Sequence, residues 1–213
     1  MKTTLLLVRH GQSIGNLYER FLGHTDLGLS PLGLRQADAL AEGVRDVHID
    51  LVYSSDLSRA MQTVTPAARE HSLTVQPEPR LREIYAGQWE NVTFDGIAER
   101  WPEERRLWKT DIGRSCPVGG ERVTELYDRV AAILDEIAAR HPGKTVLIGT
   151  HATPIRATRA RLAGTGAVGM ADIAWAPNAS ITTVVYEDGI PRLAEADRVD
   201  YLEGIVTLVP SKI

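Results

Sequence analysis

Leu5, Leu6, Leu7 and Val8 form an unbroken apolar run that ends abruptly in Arg9-His10-Gly11. The run is too short to cross a bilayer or to form the core of a secretion signal. With no polar face, it suits a strand covered on both sides, as in a parallel sheet flanked by helices. At its carboxyl end it delivers a cation, a titratable ring and a residue without a side chain. Ligands of open α/β sheets bind in the crevice outside those ends. The run therefore predicts both a buried central strand and an anion site at one edge of the sheet.

The rest of the chain alternates in the way such a sheet requires. Ser30-Pro31 is a helix start, with Ser at the cap and Pro in the first turn. Leu34, Ala37, Leu40, Ala41 and Val44 then mark one helical face to about Arg45. Ile49–Tyr53 reads as a second strand. Ser54-Ser55-Asp56 is placed to cap a helix from Leu57 to about His71, and Leu73–Val75 reads as a weaker strand. Residues 76–120 differ in composition, with several prolines and three of the four tryptophans. They predict a capping insertion with helix over 94–108. A helix resumes over 122–140 and stops at Pro142-Gly143. Thr145–Gly149 is a strand, 150–153 a turn, and Pro154 opens a helix to Leu162. Residues 180–186 and 191–196 form a hairpin around Asp188-Gly189. The fold class that follows is α/β: a three-layer sandwich with a mostly parallel central sheet flanked by helices. No composition shift divides the 213 residues, so 1–213 reads as a single domain carrying 76–120 as its capping and specificity insertion.

A net charge of -4 argues against nucleic acid or an anionic membrane as partner. A phosphate site must then be a local basic pocket. One cysteine, Cys116, excludes an internal disulfide and a cysteine zinc site, and suits a reducing, cytoplasmic setting. With only Arg114 as a basic neighbour, its thiol reads as inert. Oligomeric state is not readable, and a homodimer is left open.

Three strand ends carry related chemistry. The first ends at Arg9-His10. The second ends at Ser54-Ser55-Asp56, with Arg59 one helical turn on. The strand over 145–149 ends at Thr150-His151. If these strands are parallel neighbours, two histidines and two arginines converge beside helix N-termini that favour anions. Arginine presents a permanent planar fork to phosphate oxygens, and a neutral imidazole is a competent nucleophile near pH 7. No carboxylate cluster accompanies them, so the reading includes no metal and no cofactor.

These residues lie within longer motifs. Leu7 through Ser13 with Asn16, Asp26 through Gly33 with Gln36-Ala37, and Ser54 through Thr63 come first. Leu81-Arg82-Glu83 with Gly87 and Trp89-Glu90, then Gly119-Gly120-Glu121, Thr150-His151 and Asn178-Ala179-Ser180, follow in order. The set resembles the histidine phosphatase (phosphoglycerate mutase-like) superfamily over almost the whole chain. The resemblance implies that His10 is the nucleophile and becomes phosphohistidine. It implies that Arg9, Arg59 and His151 bind phosphoryl oxygens, that Glu83 is general acid and then base, and that Asn16 adds a polar contact at the pocket mouth. Ala152 and Asn91 stand where the family usually has glycine. Ala152 is carried as a phosphate-side contact, since its methyl group could narrow the approach of backbone to phosphate.

The family holds phosphatases and mutases. Its phosphoglycerate mutases carry Tyr and Lys at the positions of Ala86 and Phe94, and paired arginines after a tryptophan where this chain has Trp108-Lys109-Thr110. Arg105, Arg106 and Arg114 could substitute. The favoured expectation is metal-independent hydrolysis of a small-molecule phosphomonoester by a phosphatase. A phosphomutase and a phospho-ligand binding module without turnover are the alternatives. Taken singly, Arg59 reads as a solvated helix residue and Glu83 as a surface ion-pair partner of Arg80 or Arg82. His24, His48, His71 and His141 read as loop or helix-end residues, and Glu103 through Arg106 as a solvated helix face. Specificity is expected from 13–29 and 76–120. Leu17, Tyr18, Phe21, Trp89 and Trp101 are candidate contacts for a bulky, partly apolar leaving group, and Trp108 reads as either core or pocket wall.

Overall fold

The apolar run becomes the central strand β1 (Lys2–Arg9) in a computed structural model that describes residues 1–207. The chain continues through α1 (Ile14–Leu17), β2 (Arg20–Phe21), α2 (Pro31–Gly43), β3 (Leu51–Ser54), α3 (Ser58–Glu70) and β4 (Val75–Pro77). The insertion holds β5 (Val92–Thr93), α4 (Phe94–Arg100) and α5 (Pro102–Thr110). Then come α6 (Val123–Arg140), β6 (Thr145–Thr150), α7 (Ala152–Leu162) and the hairpin of β7 (Ile181–Glu187) and β8 (Ile190–Arg198). The main sheet has the order β4-β3-β6-β1-β7-β8. Its first four strands are parallel, and β7 returns antiparallel beside β1.

Side-chain alternation along β1 feeds two cores. Leu5 and Leu7 join Val146, Ile148 and Val184 beneath α6 and α7, while Leu6 and Val8 join Val52, Leu147 and Ile181 beneath α2 and α3. This is the three-layer α/β sandwich. The insertion is part of it, since Trp89, Ile97, Trp108 and Ile112 extend the first core. Among the described residues no helix is long and apolar enough to cross a membrane.

Four local expectations are corrected. Leu34 is 50% exposed because Gly33 and Gln36 take the inward positions of that turn. Gln36 is fully buried, accepts from Gln12 N and donates to Ile205 O. Residues 94–108 form two helices rather than one, because Pro102 disfavours helical backbone at Trp101. α7 starts at Ala152, with Pro154 inside its first turn, where a missing N–H costs nothing. Finally, α3 is not capped by Ser54-Ser55-Asp56. Asp56 is drawn away by Arg82, at 2.6 and 2.5 Å. The cap comes from Asp26, whose carboxylate accepts from Ser58 N at 2.7 Å and Ser58 Oγ at 2.8 Å.

Register sets the site. Arg9 lies opposite Thr150, and Ser54 opposite Gly149, so the three strands end level. α3 comes close over this edge: a Cβ on Gly149 would meet Val64 Cγ1 at 3.0 Å and Ala60 O at 3.2 Å. Replacing the remote cap, Asp26→Ala, is expected to cost about 0.5–2 kcal/mol. It should lower the urea midpoint of unfolding with little change in slope.

Candidate active site

The level strand ends place His10, Ser55 and His151 side by side. His10 N donates to Thr150 O at 2.9 Å, and Ser55 N donates to Gly149 O at 2.8 Å. The imidazole rings of His10 and His151 stand 5.1 Å apart, edge to face. Arg9, His10, Arg59 and Glu83 line one cavity, His151 packs against the His10 ring, and all five are buried.

The His10 ring is held in one tautomer. Nδ1 lies 2.7 Å from Gly11 O, and a carbonyl only accepts, so Nδ1 carries the hydrogen. Nε2 keeps its lone pair and has no hydrogen-bond partner among the described residues. Burial, then the charges of Arg59 and Arg9, hold the ring well below the usual histidine pKa, so it is neutral near pH 7. His151 is also held down, by burial first and then by Arg59. Its Nε2 lies 2.8 Å from Ser55 Oγ. That hydroxyl faces Leu57 N on its acceptor side, at 3.4 Å, so its proton is free for the ring. Where the ring accepts that proton at Nε2, His151 Nδ1 carries its hydrogen.

The arginines are fixed by carbonyls rather than by carboxylates. Arg9 Nη1 donates to Ala176 O, and Arg59 donates to Thr25 O at 2.9 Å and Gly23 O at 2.7 Å. Desolvation lowers both guanidinium pKa values to about 10, which leaves them charged at neutral pH. Two buried nitrogens, Arg9 Nε and His151 Nδ1, have no hydrogen-bond partner among the described residues. Buried polar groups are rarely left so, and beside two cations they mark a candidate anion site.

Glu83 is not the surface ion-pair partner that its neighbours suggested. Arg80 pairs with Glu78 and Glu136, and Arg82 pairs with Asp56. The Glu83 carboxylate accepts instead from Ile84 N at 2.8 Å and from Thr153 N, in the first turn of α7, at 3.3 Å. Its backbone is braced from α6. Arg129 donates to the carbonyls of Arg80, Arg82 and Glu83, each at 2.9 Å, while Glu121 holds the same guanidinium at 2.6 and 2.8 Å. His24, which the sequence placed in an ordinary loop, donates through Nε2 to Glu83 O at 2.9 Å. Glu90 ties that loop down by accepting from His24 N, Thr25 N and Ala86 N. Glu90 and Glu121 lay within recognised motifs. Arg129 and His24 carried no signal, because their work is done on backbone carbonyls.

Asn16 and Ala152 both line the cavity. Asn178 Nδ2 donates to His10 O at 2.9 Å and to Asn16 Oδ1 at 3.2 Å, and Thr207 Oγ1 donates to Asn178 Oδ1 at 3.0 Å. Asn91 has φ 58°, a left-handed conformation that asparagine tolerates and that accounts for the usual glycine there. Of the expected specificity contacts, Phe21 lines the cavity. Leu17 and Tyr18 are exposed, Trp89 is core and Trp101 packs at the edge of that core. Phe94, Trp108 and Trp175 line the cavity instead, joined by Arg20. Arg105 is buried over the Phe94 ring, so 103–106 is not wholly a solvated face. Among the described residues no three of His, Cys, Asp or Glu are grouped to hold a metal ion.

Fold and site together define an α/β protein with two histidines and two arginines gathered at the carboxyl edge of its sheet. The family model of the histidine phosphatase superfamily (branch 1) matches residues 5–197. The chain is 36% identical to phosphoserine phosphatase 1 of Hydrogenobacter thermophilus over 160 residues, 75% of this chain and 76% of that protein. Its structure superposes on YhfR of Bacillus stearothermophilus with TM-score 0.90 at 28% identity, covering 94% and 99% of the two chains. A mycobacterial glucosyl-3-phosphoglycerate phosphatase gives TM-score 0.84 at 29% identity, over 92% and 99%. The chain belongs to the histidine phosphatase superfamily, and phosphatases of that superfamily are among its relatives.

The two buried neutral histidines link stability to pH. Unfolded, each titrates near about 6.5; folded, each binds its proton only at lower pH. The unfolded state therefore takes up more protons as pH falls below about 6.5. Stability should drop there by up to about 1.4 kcal/mol per pH unit per histidine. Urea midpoints at about pH 7.5 and pH 5.5 should show this loss, and His151→Asn should show a smaller one.

Proposed function

We propose that this protein hydrolyses small-molecule phosphomonoesters through a phosphohistidine on His10, without a metal or other cofactor. The observation that carries the reading is an imidazole held by Gly11 O with its Nε2 free, lining one cavity with Arg9, Arg59 and Glu83. The lone pair of His10 Nε2 attacks phosphorus as the P–O bond to the alcohol breaks. Arg9, Arg59 and His151 hold the phosphoryl oxygens and offset the charge spread over them in the transition state. Glu83 gives its proton to the departing oxygen. Water then attacks phosphorus, its proton passes to Glu83, and the P–N bond breaks to return the lone pair to His10. The carbonyl of Gly11 keeps the other ring nitrogen protonated throughout. Asn16 and Ala152 border the phosphoryl group.

Hydrolysis is favoured over phosphoglycerate mutation by what lines the cavity. The Phe94 ring stands where mutases of the family have a lysine, and Ala86 is buried. The three arginines offered as substitutes are not in the lining of the cavity. Arg105 lies over Phe94, Arg106 pairs with Glu103, and Arg114 pairs with Asp111. The cytoplasm is the compartment we infer, from the free thiol of Cys116.

His10→Ala is expected to abolish turnover of p-nitrophenyl phosphate, whereas EDTA leaves the wild-type rate intact. Glu83→Gln should accumulate an acid-labile, base-stable phosphoprotein. Strong inhibition by EDTA would refute the metal-free route. Interconversion of phosphoglycerates faster than their hydrolysis would assign a mutase, and binding without either reaction would leave a phospho-ligand module.

A further inference from the structure

The cavity has a second chemistry that phosphate binding does not use. Phe21, Phe94, Trp108 and Trp175 all line it, and they touch one another. Phe21 stands edge-on to Trp108 at 5.2 Å and to Phe94 at 6.2 Å, and Trp108 and Trp175 stack at 6.2 Å with 20° between planes. These rings come from β2, the two insertion helices and the segment before β7, so the aromatic surface is assembled from remote parts of the chain. It is also held in place. Arg156 lies 4.2 Å over Trp175 and Arg105 lies 5.9 Å over Phe94, and both guanidinium groups are buried.

Among these rings and the guanidinium groups over them, the Trp108 N–H and Arg156 Nε are unsatisfied, as is the N–H of Trp89 beside Trp108. Trp108 is 2% exposed, and its indole N–H has no acceptor among the described residues. A buried indole N–H usually finds one. The cations nearby bear on what can supply it. Arg20 lines the cavity, and its one hydrogen bond is to a carbonyl, that of Asn91. Glu83 is the only carboxylate in the lining. Aromatic surfaces also attract ammonium groups, but here Arg105 and Arg156 already occupy two of the rings, and the local field is positive.

On the reading that the site hydrolyses phosphomonoesters, we propose that it selects esters of flat, apolar alcohols bearing a hydrogen-bond acceptor. The apolar body packs on the four rings, and the acceptor meets the Trp108 N–H. Trp108 is thus a specificity-determining residue. A small zwitterionic ester such as phosphoserine would place an ammonium in a positive, apolar surrounding and leave the indole unsatisfied.

The test compares esters of primary alcohols, so that the reactivity of the leaving group is matched: phosphoserine, 2-phenylethyl phosphate and 2-(4-acetylphenyl)ethyl phosphate. For the full chain, kcat/KM for the phenylethyl ester should exceed that for phosphoserine by about tenfold or more. The acetyl ester should exceed the phenylethyl ester by about threefold or more. Trp108→Phe retains a ring and removes the N–H, and should bring the acetyl-to-phenylethyl ratio close to one. Trp175→Ala should lower the phenylethyl-to-phosphoserine ratio about tenfold. Phosphoserine equal to or better than the phenylethyl ester would overturn the aromatic subsite. An acetyl advantage absent from the wild type, or one that survives Trp108→Phe, would overturn the role of the indole. Failure to hydrolyse any of the three, or p-nitrophenyl phosphate, would refute the phosphatase reading itself. The ranking of the same esters as ligands, by tryptophan fluorescence, would then still decide the subsite.

Discussion

Everything at this site depends on the register of three parallel strands. β1, β6 and β3 end within one residue of each other, and each continues into a functional side chain or its support. A shift of one residue would turn every side chain of a strand to the opposite face. It would exchange Leu5 and Leu7 for Leu6 and Val8 between the two cores, so hydrophobic burial and the geometry of the candidate site are enforced by the same constraint. The backbone bonds His10 N to Thr150 O and Ser55 N to Gly149 O carry that register past the strand ends into the pocket.

Two positive guanidinium groups and two neutral imidazoles share one buried edge. Such a cluster is stable because each cation is solvated by backbone carbonyls, and because the histidines give up their protons rather than add to the charge. The carbonyls leave part of the donor capacity of the cluster unspent. Ion pairs with carboxylates would have consumed it, and a bound anion would have had to compete with a permanent counter-charge. Stability and ligand recognition are therefore reconciled by the choice of neutral acceptors around charged donors.

The strand ends were legible because the chemistry follows directly on an apolar run, as at Val8-Arg9-His10 and Ile148-Gly149-Thr150-His151. Features that depend on distant partners were not. Nothing near Ser58 shows that Asp26 caps its helix, since the local Ser54-Ser55-Asp56 offers the same chemistry and Arg82 decides which of them is available. Leu34 fits the helical period, yet Gln36 is buried because Gln12 and Ile205 present backbone groups to it. Trp175 lies far in sequence from the insertion and meets Trp108 only after the sheet has formed. Arg129 and His24 act on carbonyls, which every residue possesses, so no side-chain pattern announces them.

The carbonyl of His10 is bonded to Asn178, 168 positions along the chain, and Asn178 is in turn held by Thr207. β1 likewise lies between β6 and β7, both from the last third of the protein. β1 thus has neither of its neighbours until β6 and β7 have been made. Contacts so remote carry a large loop-closure cost and slow the completion of a fold. During synthesis, the helix pair α2 and α3 can gather around a local core, while the Leu5–Val8 run remains unpaired. His10 thus precedes in the chain almost everything that surrounds it, and a chain interrupted before Asn178 would leave its carbonyl without that partner.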